Sequence, residues 1–385
     1  MKTVAIVGGG SGGVSAANHL ASKLRREIED KLVRIVLVEG SKRHYYQPGF
    51  LEIVFDLMPQ QATYRNMDRM LTKGIALISE YATMIDLKNH FIKTERQKID
   101  FDYIVIATGA SYNYDAVPGL ESGTYNFYNL DKALELKTAL NHFKSGKILM
   151  GVSSMPYKCT PAPLEAVFLL NDYFKKRGIR NDVEIEYIYP IPMAFPDKGV
   201  SDVALKMFED KGIKSKLGFR LKYVDNDSHE FVSEDGDRTR FDLAIVTPPH
   251  VGNKLIVDSK IGDKMGWLTV DNLTLNIKGY ENAYAIGDAT NLQVSKAGSV
   301  ADAEAIVVSE RISQAIEGYE PVSTYDGSGG ALMITGIGSA SMLTSSYTQK
   351  PIMMPESYAF YWIKLIYNNL YWNMTAKPVL NEVIQ

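Results

Sequence analysis

The sequence predicts an α/β chain made of two Rossmann-like dinucleotide-binding domains in tandem, followed by a C-terminal membrane-associating region. Three observations carry that prediction. An apolar strand at the N-terminus runs into a glycine turn and then a helical pattern; the same order returns in degenerate form from Lys147; and the tail concentrates aromatic side chains.

The first unit opens with Val4-Ala5-Ile6-Val7, which ends in Gly8-Gly9-Gly10-Ser11-Gly12-Gly13. Val14, Ala17, Leu20, Ala21 and Leu24 then recur at helical spacing, and a second buried strand, Arg34 to Val38, ends at Glu39. This is a β-α-β unit, expected to cross over right-handed. Its turn reads Gly8-x-Gly10-x-x-Gly13. Gly8 permits the turn, Gly10 lets a pyrophosphate approach the backbone, Gly13 lets helix and strand pack closely, and Glu39 can accept from a ribose hydroxyl. A merely structural glycine turn is the alternative, and the flanking strand, helix and acid favour the dinucleotide.

The second unit looks like a diverged copy. Lys147-Ile148-Leu149-Met150-Gly151 enters a turn, Glu165 to Lys176 reads as a helix, and Val183 to Tyr189 as the next strand. Phe241-Asp242-Leu243-Ala244-Ile245-Val246-Thr247 echoes Phe101-Asp102-Tyr103-Ile104-Val105-Ile106-Ala107, which leads into Thr108-Gly109. The copy lacks the phosphate fingerprint: Ser153 and Pro156 stand where the first turn has Gly10 and Gly13, and its second strand ends in Tyr189-Pro190. A side chain and a proline at those positions exclude a pyrophosphate, so one dinucleotide is expected. The expected domains are 1–112 with 262–320, 113–261 and 321–385.

Further on, Ala283 to Ile286 forms a short apolar strand delivering Gly287-Asp288 to a loop. Asp288 can cap the helical segment Val300 to Ala315 or serve a cofactor. Composition adds limits: 42 Lys plus Arg against 45 Asp plus Glu leave a formal charge of −3, which disfavours nucleic-acid binding. No apolar stretch approaches the ~20 residues of a spanning helix, and the N-terminus enters a strand directly, so the chain is expected to be made in the cytoplasm and to be soluble or to lie on a membrane surface. The single cysteine, Cys159, rules out an intrachain disulfide framework, and no metal site is expected.

These residues resemble the two-dinucleotide-domain flavoproteins, and several further segments resemble the sulfide:quinone oxidoreductase family. They are His44-Tyr45-Tyr46-Gln47-Pro48, Pro156-Tyr157-Lys158-Cys159-Thr160-Pro161-Ala162-Pro163, Val246-Thr247-Pro248-Pro249, Gly287-Asp288-Ala289-Thr290-Asn291 with Ser295-Lys296, Tyr325-Asp326-Gly327 and Leu370-Tyr371-Trp372-Asn373-Met374. The resemblance implies FAD held by Gly8, Gly10, Gly13, Glu39, Gln47, Ala107, Thr108, Gly109, Gly287 and Asp288, with Lys296 at the pyrimidine side of the flavin, where it would stabilise developing negative charge. It implies that Cys159 is a flavin-proximal redox cysteine, that sulfide is the donor and a membrane quinone the acceptor, and that the protein sits peripherally on the cytoplasmic side of a membrane, with a homo-oligomer admitted.

Lys158 beside Cys159 and a helix starting a few residues later are expected to lower the thiol pKa. Lys296 could otherwise be a solvated helix lysine, and Cys159 an inert core thiol. The family's second redox cysteine falls, counting from Tyr325-Asp326-Gly327, at Ala331. A disulfide between the pair cannot form here. Either a substitution stands at 331 or the chain is a natural relative that uses one cysteine, with sulfide turnover impaired or altered. A type II NADH:quinone oxidoreductase-like flavoprotein and a non-catalytic sulfur-binding flavoprotein are the alternatives.

The tail from Ser357 to Met374 is expected to form an amphipathic helix at the membrane, with Phe360, Ile363, Tyr367 and Leu370 near one face, Trp362, Ile366 and Tyr371 as further apolar or aromatic positions, and Lys364, Asn368 and Asn369 toward water or headgroups. Periodicity alone equally suits a helix docked on the core, and the Tyr and Trp content favours the interface. Because the proposed FAD ligands all precede residue 297, removing residues 357–385 is expected to leave FAD bound.

Overall fold

A computed structural model describes residues 1–377; the end of the tail, 378–385, lies outside the described residues. The first half builds β1 (Lys2–Val7), α1 (Ser11–Lys23), β2 (Val33–Val38), β3 (Ile75–Ile78), an antiparallel meander β4 (Ala82–Asp86), β5 (Phe91–Thr94) and β6 (Lys98–Asp100), and β7 (Tyr103–Ile106). The second half repeats the order with β8 (Gly146–Val152), α2 (Ala162–Lys176), β9 (Val183–Tyr189), β10 (Lys214–Leu217), the meander β11 (Leu221–Asp225), β12 (Glu230–Ser233) and β13 (Arg238–Arg240), and β14 (Leu243–Thr247).

The chain returns to the first half with β15 (Ala283–Ala285) and α3 (Gly298–Glu317), and ends in β16 (Gly329–Gly336), β17 (Ser339–Ser345), β18 (Ile352–Met353) and α4 (Tyr358–Tyr371), which runs on as a π turn to Ala376.

The first sheet is parallel, in the order β15-β7-β1-β2-β3, and the second is parallel in the order β14-β8-β9-β10. The repeat therefore extends to strand order, with β15 as the one added edge. Val4 to Val7 and Ile35 to Val38 are buried on both faces, as parallel strands covered by crossovers must be. The Phe-Asp echo has a shared structural cause. Asp102 accepts from the Thr3 amide at 2.6 Å in the first half and Asp242 from the Lys147 amide at 2.6 Å in the second, each tying the returning strand to the start of the central one.

The C-terminal unit is an antiparallel sheet, β16-β17-β18, with α4 packed on β17. Its far end reaches into the first half. Tyr371 and Trp372 are buried in the same apolar core as β1 and α1, and the Asn18 amide donates to Ala376 O at 2.6 Å.

Along α4 the face exposed to solvent is Tyr358, Trp362, Ile363, Ile366, Leu370 and Met374. Tyr361, Asn368 and Tyr371 face inward, and two expectations are corrected here. Asn368 does not face water: it donates to both carboxylate oxygens of Glu52, at 2.8 and 2.7 Å, and accepts from the Tyr46 hydroxyl at 2.5 Å. Lys364 is also turned inward, its ammonium 3.9 Å from Glu52 and 3.8 Å from Glu165. A helix with apolar residues all round offers too little hydropathy contrast to reveal its inner side. The buried carboxylates on the helix Gly49–Val54 and on α2 decide it.

Replacing Tyr371 by Ala removes a buried aromatic that stacks on His44 and packs on Tyr46, so urea unfolding is expected to show a loss of about 3–5 kcal/mol. Trp362→Ser, on the exposed face, is expected to stay within about 0.5 kcal/mol in the same assay.

Candidate functional site

The glycine turn between β1 and α1 is closed where the fold needs closure and open where a ligand needs room. A Cβ at Gly13 would lie 1.8 Å from Gly8 O, and one at Gly8, whose φ is +102°, would lie 2.4 Å from Ala107 O. At Gly10 a Cβ would meet nothing within 4 Å. Glu39 braces the turn: one carboxylate oxygen accepts from the Gly9 amide at 2.6 Å, the other from the Ser41 amide at 2.6 Å.

A further brace comes from the tail. His44 Nδ1 donates to Gly9 O at 2.8 Å, which leaves Nε2 to accept from the Tyr371 hydroxyl at 2.7 Å, and that hydroxyl accepts from Ser11 Oγ at 2.8 Å. Burial drives the His44 pKa down to about 4, so the imidazole stays neutral and this donor pattern holds. Tyr371 is thereby tied to the first turn of α1, so removing the tail takes away a hydrogen-bond partner of that turn.

At the end of β7, Ala107, Thr108 and Gly109 line the neighbouring strand tip. Gly109, at φ +68°, turns the chain into the segment Ala110–Tyr112, which pairs antiparallel with His250–Gly252, and Asn253 donates to Thr108 O at 3.3 Å. Thr108 Oγ1 is buried and without a hydrogen-bond partner.

Gly287 and Asp288 follow β15 in a single 3-10 turn. Asp288 is not the cap of α3, which starts at Gly298 after Ala297 with no side-chain cap. Glu304 on α3 instead accepts from the Gly287 amide, and burial pushes its pKa up to about 8. Sequence reasoning passed over Glu304. The available signal was an acid inside the apolar run Ala301, Ala305 and Val308 on the buried side of a helix.

Lys296 is buried, donates to Thr290 O at 2.5 Å and stands 4.5 Å over the Trp267 ring, so it is not a solvated helix lysine. Its carbonyl accepts from the Cys159 amide at 2.8 Å, and Ser299 Oγ, three residues on, donates to Gly330 O at 2.7 Å. The segment 296–299 thus ties the cysteine on one side and the strand carrying Ala331 on the other.

Cys159 is half-buried and adopts φ +56°, the left-handed region that costs a side-chain-bearing residue roughly 1–2 kcal/mol. Its expected low pKa is corrected. Burial, with Glu165 adding to it, pushes the thiol up to about 12, and Lys364 opposes this. The Lys158 ammonium turns toward Gln47 Oε1 at 2.9 Å and the faces of Tyr112 and Tyr128. Gln47 is thereby brought to the cluster as the acceptor for Lys158.

The second turn is filled by its own side chains. The Ser153 amide and hydroxyl both donate to Thr247 O, at 3.1 and 2.7 Å, and the Tyr157 and Tyr189 hydroxyls lie 2.8 Å apart.

The open face at Gly10, the glycine-limited close contacts and the orphaned Thr108 hydroxyl fit a bound dinucleotide at the first turn.

The pyridine nucleotide-disulphide oxidoreductase family model matches residues 2–317. The chain is 30% identical to the mitochondrial sulfide:quinone oxidoreductase of Dictyostelium discoideum, over 79% of this chain and 69% of that one. The chain belongs to the sulfide:quinone oxidoreductase family. The mitochondrial sulfide:quinone oxidoreductase of Mus musculus is 26% identical over 97% of this chain and 86% of its own length. The fold matches the crystal structure of the Aquifex aeolicus sulfide:quinone oxidoreductase with a TM-score of 0.87 at 20% identity, covering 98% and 92% of the two chains. Membership carries an FAD-binding dinucleotide fold and an oxidoreductase activity of this general kind.

Gly13→Ala is expected to yield protein without flavin, read as loss of the flavin's visible absorbance band, because the new methyl would occupy the place of the Gly8 carbonyl. Glu304 supplies a pH test. Its folded pKa, about 8, lies above its ordinary 4.5, so its contribution to stability is full below about 4.5 and is lost as pH rises through about 8. Thermal melts of wild type are expected to fall across that window, and Glu304→Gln, neutral throughout, is expected to lose that part of the slope.

Proposed function

We propose that this protein oxidises sulfide at Cys159 and delivers two electrons to a membrane quinone. The observation that carries the reading is the hydrogen bond from the Cys159 amide to Lys296 O at 2.8 Å, which anchors the chain's single cysteine to the segment that follows Gly287-Asp288. In this reading residues 1–112 with 262–320 hold FAD, 113–261 carry the cysteine, and 321–385 face the quinone and the membrane.

Gly8, Gly10 and Gly13 would receive the pyrophosphate, Glu39 the adenosine ribose, Asp288 the ribityl region, and Ala107, Thr108 and Gly109 the adjoining strand tip. Bound FAD supplies a two-electron carrier between donor and acceptor. Lys296 would hold positive charge at the pyrimidine edge, where reduction adds negative charge.

The net change is hydrogen sulfide plus quinone giving sulfane sulfur plus quinol, which balances two electrons and two protons. On the protein side, a thiol and hydrogen sulfide become a persulfide with release of two protons and two electrons, and Cys159 is the thiol available. Ala331 leaves no second sulfur to receive the first, so a persulfide on Cys159 has to leave to an external sulfur acceptor. Lys364 is the cation placed to favour thiolate or persulfide anion there.

Among the described residues no helix is long and apolar enough to cross a membrane. The exposed face Tyr358, Trp362, Ile363, Ile366, Leu370 and Met374 supports a docking on the bilayer in its plane, with Trp and Tyr at the headgroup level. The cytoplasmic side is part of the same proposal. A nicotinamide dinucleotide as donor is disfavoured by the filled second turn.

Anaerobic sulfide is expected to bleach the flavin of the wild-type protein and to drive reduction of a short-chain quinone. Cys159→Ala is expected to keep its flavin yet lose sulfide-dependent bleaching, and Ala331→Cys to raise turnover about tenfold or more. Failure of both wild type and Ala331→Cys to bleach would sink the sulfide assignment. A stable persulfide on Cys159 without quinone reduction would identify a sulfur-binding flavoprotein instead.

A further inference from the structure

Where Ala110–Tyr112 pairs with His250–Gly252, a buried polar cluster has hydrogen-bonding valences left unfilled. His250 is 2% exposed. Its Nδ1 lies 2.8 Å from Pro248 O, and since a carbonyl only accepts, Nδ1 carries the proton and Nε2 is left as an acceptor. That Nε2 is buried with no hydrogen-bond partner.

The imidazole stands edge-on to Tyr112 and Tyr128, with ring centroids 5.0 and 5.2 Å away. Both tyrosine hydroxyls are committed elsewhere, Tyr112 donating to Tyr128 O at 2.7 Å and Tyr128 meeting Thr247 Oγ1 at 3.3 Å. The same two rings flank the Lys158 ammonium at 5.0 and 5.9 Å, and that ammonium has one hydrogen bond, to Gln47, out of three donors. A buried cation with spare donors and a buried lone pair without a donor therefore flank the same two tyrosine rings, next in the chain to Cys159.

We propose that Lys158 and His250 form the docking site for the hydrosulfide anion, Lys158 pairing with the negative sulfur and His250 Nε2 accepting its S–H hydrogen. The pairing is selective because it asks for a ligand that is both anionic and a donor of one hydrogen, which hydrosulfide is and an alkyl thiolate is not. Burial first, and then the charges of Lys158 and Lys296, hold the His250 pKa down to about 3, so the ring remains a neutral acceptor and takes no proton from its ligand. The proposal rests on the sulfide reading and names the residues that give it specificity.

The test uses the FAD-loaded full-length protein under anaerobic conditions, with sulfide as substrate and methanethiolate as a competing anion. His250→Phe keeps an aromatic ring and removes the acceptor. It is expected to raise the KM for sulfide about tenfold, the scale of one hydrogen bond to a charged group, while the inhibition constant of methanethiolate, the quinone KM and the flavin spectrum stay within about twofold. His250→Gln restores an acceptor and is expected to recover most of the loss. Lys158→Met is expected to weaken sulfide and methanethiolate alike, which provides an independent arm should the phenylalanine variant lose flavin. An unchanged sulfide KM in His250→Phe, or an equal rise for sulfide and methanethiolate in that variant, overturns the assignment of His250; unchanged values in Lys158→Met overturn that of Lys158. Wild-type flavin that sulfide never bleaches overturns the parent reading, whereas normal bleaching with unmoved constants overturns this site alone.

Discussion

The closeness of α1 to the tip of β1 is the constraint from which the rest of the site follows. Gly8 O occupies the place where any side chain at residue 13 would begin, 1.8 Å from that ideal Cβ. Because the helix can sit so low, Gly12 faces Ile286 and Ala301, α3 runs alongside α1, and Glu304 on α3 reaches the Gly287 amide. The same low seat puts Ser11 within reach of Tyr371, so the tail closes over the turn. One missing methyl thus aligns three distant stretches of the chain, and a single added one would separate them together.

Around this frame the protein buries charge where a stability-driven design would bury hydrocarbon. Lys158, Lys296, Glu52, Glu165 and Glu304 are all buried, and Lys364 lies between two of those carboxylates without a close ion pair to either. Taking such groups out of water costs several kcal/mol each before partners are counted, and apolar replacements are often as stable or more so. Their concentration at the junction of the two halves and the C-terminal unit fits a role in handling anions and electrons more than in holding the fold. The large apolar cores on either side supply the stability that tolerates them.

Local signals were legible in the sequence and non-local ones were not. The glycine turn, the repeated strands and the Phe-Asp echo read correctly, since each depends on residues within one strand-turn-helix unit, and the loss of the second phosphate turn was visible in Ser153 and Pro156 for the same reason. The thiol of Cys159 misled because burial outweighs the cations near it: the Lys158 ammonium is held at Gln47, and Lys364, which opposes the shift, comes from the tail. Lys364 and Asn368 misled for a related reason, since their partners Glu52 and Glu165 come from remote helices. Glu304 and His250 showed no motif at all. What marks them is a buried oxygen or nitrogen with an unfilled valence, a property of packing.

By itself the sequence determined that a glycine turn of the dinucleotide type occurs once in a duplicated α/β chain, and that the chain holds one thiol. These are matters of residue type, where a side chain either allows a conformation or a chemistry or forbids it. Only the tertiary structure decided which face of the tail is apolar to solvent, that Lys364 of the tail reaches the charge environment of the Cys159 thiol, and that Tyr371 is bonded to the first turn. Those depend on electrostatics and exposure summed over atoms from all parts of the chain. Burial multiplies the effect of each charge, and burial is known only once the chain has closed on itself.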